Sequence, residues 1–209
     1  MMQIEVAQHP LVKHILTRLR DASTEPAQFR ALARQLTLLL AVDATRDLPV
    51  REHTVQTPLE PTQGHSLAQP IVAVPILRAG LGMLEAITEL FTDVRVGYIG
   101  LERDETTAVA RAYYCKLPPI GASRVLLLDP MLATGGSAAQ AIEVLLKAGA
   151  QDIVHVCVVA APEGVRLLNE RFPQVRIVAA SIDRGLNDRK FILPGLGDFG
   201  DRLYGTGAR

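Results

Sequence analysis

The chain of 209 residues has no tryptophan, and aromatic residues make up only 4% of it, although 48% of it is hydrophobic. Branched aliphatic side chains must therefore fill the core, as in a mostly parallel α/β sheet covered on both faces. Only two cysteines occur, Cys115 and Cys157, far apart and with no CxxC. That excludes a disulfide scaffold and a zinc ribbon and leads us to expect a reduced, cytoplasmic protein. There is no excess of charge, with 22 basic and 22 acidic residues. A nucleic-acid or membrane surface is therefore not expected as the main partner. No apolar run is long enough to span a bilayer, and the opening MMQIEVAQHPLVKH lacks the apolar centre of a secretion signal. The five histidines have no metal-ligand spacing, and neither GxSxG nor GxxxxGK[ST] is present.

What is present centres on residues 124–137, RVLLLDPMLATGGS. The apolar run 125–128 suits a strand buried on both faces, and Asp129 appears where it stops. A loop of small residues follows, then a helical pattern with Ala138, Ala141, Ile142 and Leu145 on one face. A strand, a glycine loop and a helix N-terminus present free N–H groups and a favourable dipole to an anion. Glycines let the main chain approach a phosphate closely. Asp129 would repel a phosphate and suits the hydroxyls of an attached sugar. An ordinary strand-to-helix turn is the plain alternative.

The same grammar occurs earlier. IVAVPI at 71–76 reads as a buried strand, closed by Leu77-Arg78-Ala79-Gly80-Leu81-Gly82 and followed by a helix. This is a second anion loop, now with an arginine. Two such loops in one small sheet point to a ligand with two anionic ends.

In chain order, helices are predicted over 10–20 and 26–46, a peripheral strand over 49–57, and a loop marked by Pro58, Pro61 and Gly64. The two helices either reach a partner subunit or cover the sheet's own face. A strand over 94–101, a charged break at 102–107 and alternation over 108–117 read as a hairpin with a mobile tip. Strands over 153–160 and 175–181, with a helix between them, predict parallel pairing through right-handed crossovers. The last segment, 182–209, is glycine-rich without a sustained period. Within it, 195–200 fits GxGxxG, but too little chain follows for a dinucleotide fold. Such a turn can instead show bare N–H and C=O groups to a flat polar heterocycle. Phe191, Ile192, Leu193, Phe199 and Tyr204 argue that it is ordered.

DPMLATGGS resembles the ribose-5-phosphate loop of the uracil phosphoribosyltransferases, members of the type I phosphoribosyltransferases. Pro130 stands where the wider superfamily has a second acidic residue, and the uracil enzymes share that proline. PILRAGLG resembles their pyrophosphate loop, YYCKLP the returning strand of their lid, and FILPGLGDFGDRLYGT their uracil-binding signature. Phe191 replaces a common Tyr, and Phe199 an Ala frequent in bacterial relatives. The resemblance runs over nearly the whole chain. It implies an α/β type I phosphoribosyltransferase fold in a single domain, 1–209. The mostly parallel central sheet is flanked by helices, with an N-terminal helical arm over 1–48, a flexible hairpin lid and a base-binding hood over 182–209.

The implied reaction joins uracil to 5-phosphoribosyl 1-diphosphate (PRPP), giving UMP and diphosphate. Asp129, Pro130, Met131, Leu132, Ala133, Thr134, Gly135, Gly136 and Ser137 would hold ribose and 5′-phosphate. Arg78 and Arg103 would neutralise the diphosphate, and Asp198 would reach substrate or metal. Asp129, Arg103 and Asp198 are the implied catalytic residues. Ile192, Gly197, Asp198 and Phe199 would read uracil, largely through the main chain. Mg²⁺ would be held mainly by PRPP and water, not by a protein ligand set. The resemblance also allows a GTP effector and a homo-oligomer, dimer or tetramer. Two rival readings are a phosphoribosyltransferase for another base and a PRPP-sensing regulator that binds RNA.

Overall fold

The computed structural model describes residues 4–103 and 110–206. In chain order the elements are β1 (Glu5–Val6), α1 (Pro10–Arg20), α2 (Pro26–Thr45), β2 (Val50–Gln56), β3 (Pro61–Leu67), β4 (Ile71–Leu77) and α3 (Leu81–Leu90). There follow β5 (Arg95–Val96), β6 (Tyr98–Arg103), β7 (Ala110–Lys116), β8 (Arg124–Leu128), β9 (Met131–Leu132), α4 (Gly136–Lys147) and β10 (Asp152–Ala160). The chain closes with α5 (Pro162–Arg171), β11 (Arg176–Ile182), β12 (Gly185–Leu186), β13 (Ile192–Leu193) and α6 (Phe199–Tyr204).

The central sheet runs β1-β11-β10-β8-β4-β6-β7, with β5 beside β4 and β9 beside β10. It is parallel except for the antiparallel pair β6–β7. The central strands β4, β8 and β10 are mostly apolar because both of their faces are covered; the polar exceptions are Arg124, Asp152 and the fully buried His155. Leu126, Leu128, Val154 and Val156 share a core with Phe29, Leu36 and Leu40 of α2. Val125, Leu127, Ile153 and Cys157 face the other way, against Ala138, Ile142 and Leu145 of α4 and Leu168 of α5. Each fully buried Leu, Ile or Val contributes about 1.5–3 kcal/mol relative to exposure. The two opening helices pack on the sheet's own face, α2 against α3, α6, β10 and β11. Among the described residues no helix is long and apolar enough to cross a membrane.

The peripheral region differs from the sequence prediction. Residues 61–67, expected to be loop, form β3, which pairs antiparallel with β2 from Val50↔Leu67 to Gln56↔Pro61. Nearly every side chain of this ribbon is exposed, so no core imposes the apolar alternation that would mark a strand. The predicted strand over 94–101 is interrupted. Gly97 separates β5 from β6, and a β-carbon there would stand 2.8 Å from Leu117. The tail also has more structure than its glycines suggest, with the small β12–β13 hairpin and the helix α6.

At the N-terminal edge of the sheet, away from the glycine loops, Arg124 is nearly buried and pairs with Asp47 at 2.5 Å and Asp152 at 2.9 Å. Arg176 joins Asp47 to Glu5. Hydrogen bonding to Arg124 is the main reason the Asp47 carboxyl is held down at about 2. This network ties α2 to the strand starts. It leaves the opposite edge, where the strands end, for ligand.

Candidate active site

The register brings the two anion loops together. Pro75 of β4 pairs with Leu128 of β8, so Arg78 and Asp129 leave the ends of adjacent parallel strands. Gly80 makes this closeness feasible: a β-carbon on it would lie 2.4 Å from the Leu128 carbonyl. The Leu77–Arg78 peptide is cis, and the Arg78 side chain is exposed. On the far side of β4, Leu77 pairs with Gly100 of β6, which ends at Arg103. The backbone of Arg103 pairs with Ala110. The lid tip at 104–109 and the side chain of Arg103 lie outside what the structure describes.

A small cavity of about 100 Å³ sits at the end of β8, lined by Asp129 and by every residue from Met131 to Ala138. It gathers all the predicted phosphate-loop residues except Pro130. Pro130 is buried instead, and its carbonyl accepts the N–H groups of Val158 at 2.9 Å and Val159 at 3.1 Å. Met131 and Leu132, expected in the loop, form β9 alongside Val159 and Ala160 of β10. The Leu132 side chain is 1% exposed and belongs to the core, so a role in binding falls to its main chain.

Helix α4 starts at this cavity. Gly135 precedes it with φ +83°, where other residues are strained. No side chain caps its N-terminus, and no acidic residue occupies its first turn. The Gly136 N–H has only a long contact to Thr134 Oγ1, 3.4 Å. The free N–H groups and the positive end of the dipole thus face the cavity beside two hydroxyls, Thr134 and Ser137. Asp129 closes the other side. Burial pushes its carboxyl up to about 7, against the single N–H of Met131. Behind it, burial and then the Asp129 charge push the Cys157 thiol up, so this cysteine stays an inert thiol.

The tail, expected to act as a hood, is anchored to the rest of the fold by its side chains. Phe199 is buried, with its ring edge-on to Phe29 at 5.1 Å. Phe199 and Leu203 also crowd Gly82 at the start of α3, where a β-carbon would stand 2.6 Å from Leu203. Ile192 is buried, whereas Gly197 and Asp198 are exposed. Asp198 caps α6, with Oδ1 accepting the Asp201 N–H at 2.9 Å, and that leaves Oδ2 for ligand.

Sequence reasoning missed several supports of this site. A β-carbon on Gly164, in the first turn of α5, would stand 2.5 Å from the Ala133 carbonyl. Its neighbour Glu163 accepts the Leu186 N–H of the hood at 3.1 Å. The first turn of α5 therefore touches the phosphate loop and the hood at once. A glycine inside a helix, where it costs about 1 kcal/mol against alanine, was the available signal. Arg20 and Asp183, which pair at 2.5 Å beneath the hood, lie 163 residues apart and left none.

A mostly parallel sheet with a strand-end aspartate beside an uncapped helix N-terminus is the arrangement of the type I phosphoribosyltransferase fold. The structure of a hypoxanthine-guanine phosphoribosyltransferase from Bacillus anthracis shares this fold, with a TM-score of 0.51 at 12% identity over 76% of this chain and 80% of that one. A family model for uracil phosphoribosyltransferase matches residues 6–206, and the chain belongs to that family. It is 51% identical to the uracil phosphoribosyltransferase of Roseiflexus castenholzii, over 99% of this chain and 100% of the relative. It is 48% identical to that of Thermosipho africanus, over 98% and 100%. The structure of the AQ2163 protein from Aquifex aeolicus superposes with a TM-score of 0.93 at 37% identity, covering 99% of this chain and 100% of that one.

Proposed function

We propose that the chain transfers the 5-phosphoribosyl group of PRPP to uracil, giving UMP and diphosphate. The observation that carries this reading is the cavity at the end of β8, where Asp129 faces an uncapped helix N-terminus. The 5′-phosphate binds the N–H groups and hydroxyls of Thr134, Gly135, Gly136 and Ser137. Asp129 takes the ribose hydroxyls, as a charged acceptor once its proton has left. Arg78 meets the diphosphate from the adjacent strand, and Arg103 meets it from the lid. Uracil lies under the hood, read by the main chain of Ile192, Gly197 and Phe199, with Asp198 beside the substrate. Such transfer needs placement and charge stabilisation more than a strong base.

Mg²⁺ fits this arrangement as a partner of the substrate. Among the described residues no cluster of three or more acidic, histidine or cysteine side chains stands ready to hold a metal. Magnesium would be held mainly by the phosphate oxygens of PRPP and by water. When bound, it neutralises charge on the departing diphosphate.

Assembly as a dimer or tetramer suits the β2–β3 ribbon. An isolated two-stranded ribbon is marginal in water, and this one exposes Val50 and Leu59. A GTP effector rests on the family resemblance. The cysteines, Cys115 exposed and Cys157 buried, are both free thiols, which suits the cytoplasm.

The test is UMP formation from uracil and PRPP, followed chromatographically with and without a chelator. Product that depends on both substrates and disappears on chelation supports the reading. No UMP with Mg²⁺ present contradicts it.

A further inference from the structure

The turn at 195–197 hangs from two arginines. Arg20, at the end of α1, donates through Nη1 to the Gly195 carbonyl at 2.6 Å. Asp183, with its side chain 2% exposed, grips the same guanidinium at 2.7 and 2.5 Å. Oδ2 of Asp183 also accepts the Gly195 N–H at 2.8 Å. Arg202, in α6, donates to the Leu196 carbonyl at 2.8 Å and also to the carbonyls on either side of Arg20, those of Leu19 and, at 2.5 Å, Asp21. Its guanidinium lies 4.5 Å from the centre of the Phe29 ring. The hood and the end of α1 thus hold each other in both directions.

This clamp decides where the main chain of the turn points. The peptides joining Gly195, Leu196 and Gly197 are trans, as only Leu77–Arg78 and Leu193–Pro194 are cis among the described residues. In a trans peptide the C=O and N–H point opposite ways. With the carbonyls of Gly195 and Leu196 drawn onto the arginines, the N–H groups of Leu196 and Gly197 turn the other way. Neither finds an acceptor among the described residues. Gly197 holds φ +81°, a conformation suited to glycine.

We infer that Arg20, Asp183 and Arg202 are positioning residues for base selection: they aim the Leu196 and Gly197 N–H groups at the keto oxygen that uracil carries where cytosine has an amino group. This rests on the reading that residues 192–199 bind uracil. Two donors meeting an amino group leave both sides unpaired, the kind of mismatch that discriminates strongly. None of the three side chains need touch the base, and none serves the phosphate loop.

The experiment compares Asp183→Asn and Arg202→Lys with the parent protein. It measures uracil kcat/KM, the uracil-to-cytosine ratio, PRPP affinity by calorimetry, and thermal unfolding. Loosening the turn is expected to lower uracil kcat/KM about ten- to a hundredfold and to lower the ratio, with PRPP affinity held within about twofold. Folded variants with parental uracil KM and ratio overturn the inference, and so does parallel loss of PRPP and uracil. Gly197→Val separates the two levels. If it spares uracil use, the hood reading itself fails. If it abolishes uracil use while the other variants stay silent, only the clamp fails. Should the variants not fold, amide exchange on the parent protein decides. Gly195 should be protected without ligand, and Leu196 and Gly197 only with UMP; no UMP-dependent protection overturns the inference.

Discussion

Gly164 and Ala133 meet where no β-carbon fits: one on Gly164 would stand 2.5 Å from the Ala133 carbonyl oxygen and 3.0 Å from Leu132. Helix α5 therefore supports the phosphate loop from beneath. Gly164→Ala should push the loop outward and misalign its N–H groups. PRPP affinity is expected to fall about ten- to a hundredfold, since small misplacements at a site cost that much. Calorimetry on the folded variant checks this, and unchanged affinity would show that the loop does not depend on α5.

Phe199 illustrates a residue whose location was legible and whose side-chain role was not. The uracil-binding signature put it in the hood with its main chain toward the base. The structure buries its ring against Phe29. Removing a buried aromatic ring costs about 3–5 kcal/mol. Phe199→Ala should lose stability of that order in denaturant unfolding, while the protein that remains folded still prefers uracil to cytosine. A loss under about 1 kcal/mol would show that the ring does not anchor the hood.

The pH dependence of Asp129 has a definite sign. Burial raises its carboxyl from 3.8 to about 7 in the fold. A group whose native pKa is raised binds its proton more tightly when folded, so its ionisation opposes folding as pH climbs from about 4 to 7. Asp129→Asn should therefore make the ligand-free protein more stable than its parent at pH 8, with little difference at pH 4. The same change should weaken PRPP binding about ten- to a hundredfold through loss of a charged acceptor. Lower stability of the variant at pH 8 would show that the carboxylate is held by partners instead of being strained by burial.

Arg103 stands at the end of β6, next to the strand that carries Arg78. Closing a charged hairpin over the diphosphate would exclude water and strengthen its ion pairs. Arg103→Ala is expected to lower turnover while uracil affinity for the PRPP-loaded protein changes little. Limited proteolysis at 102–110 gives an independent view: PRPP should protect the parent protein, and equal cleavage with and without PRPP would exclude a lid.

The sheet and its loops were legible because burial on both faces writes itself as unbroken apolar runs such as 125–128, and because glycine beside a helix start marks a strand-to-helix loop. β3 was not legible, since an exposed ribbon leaves no pattern. Nor was the path of Met131 and Leu132 along β10, where the pairing depends on a partner strand. The Arg20–Asp183 pair and the Arg202 contacts are long-range hydrogen bonds, and single residues far apart carry no trace of each other. In the tail, short elements held by side-chain contacts do not repeat long enough to show a period.

The central claim is that this site joins uracil, and not another base, to PRPP. Its direct test is diphosphate release from PRPP and Mg²⁺, measured in parallel with uracil, cytosine, hypoxanthine and orotate. Rapid release with uracil, and rates with the other three lower by about 10⁴-fold or approaching background, is the predicted result. Release that is faster with any of the other three, or absent with uracil, would contradict it.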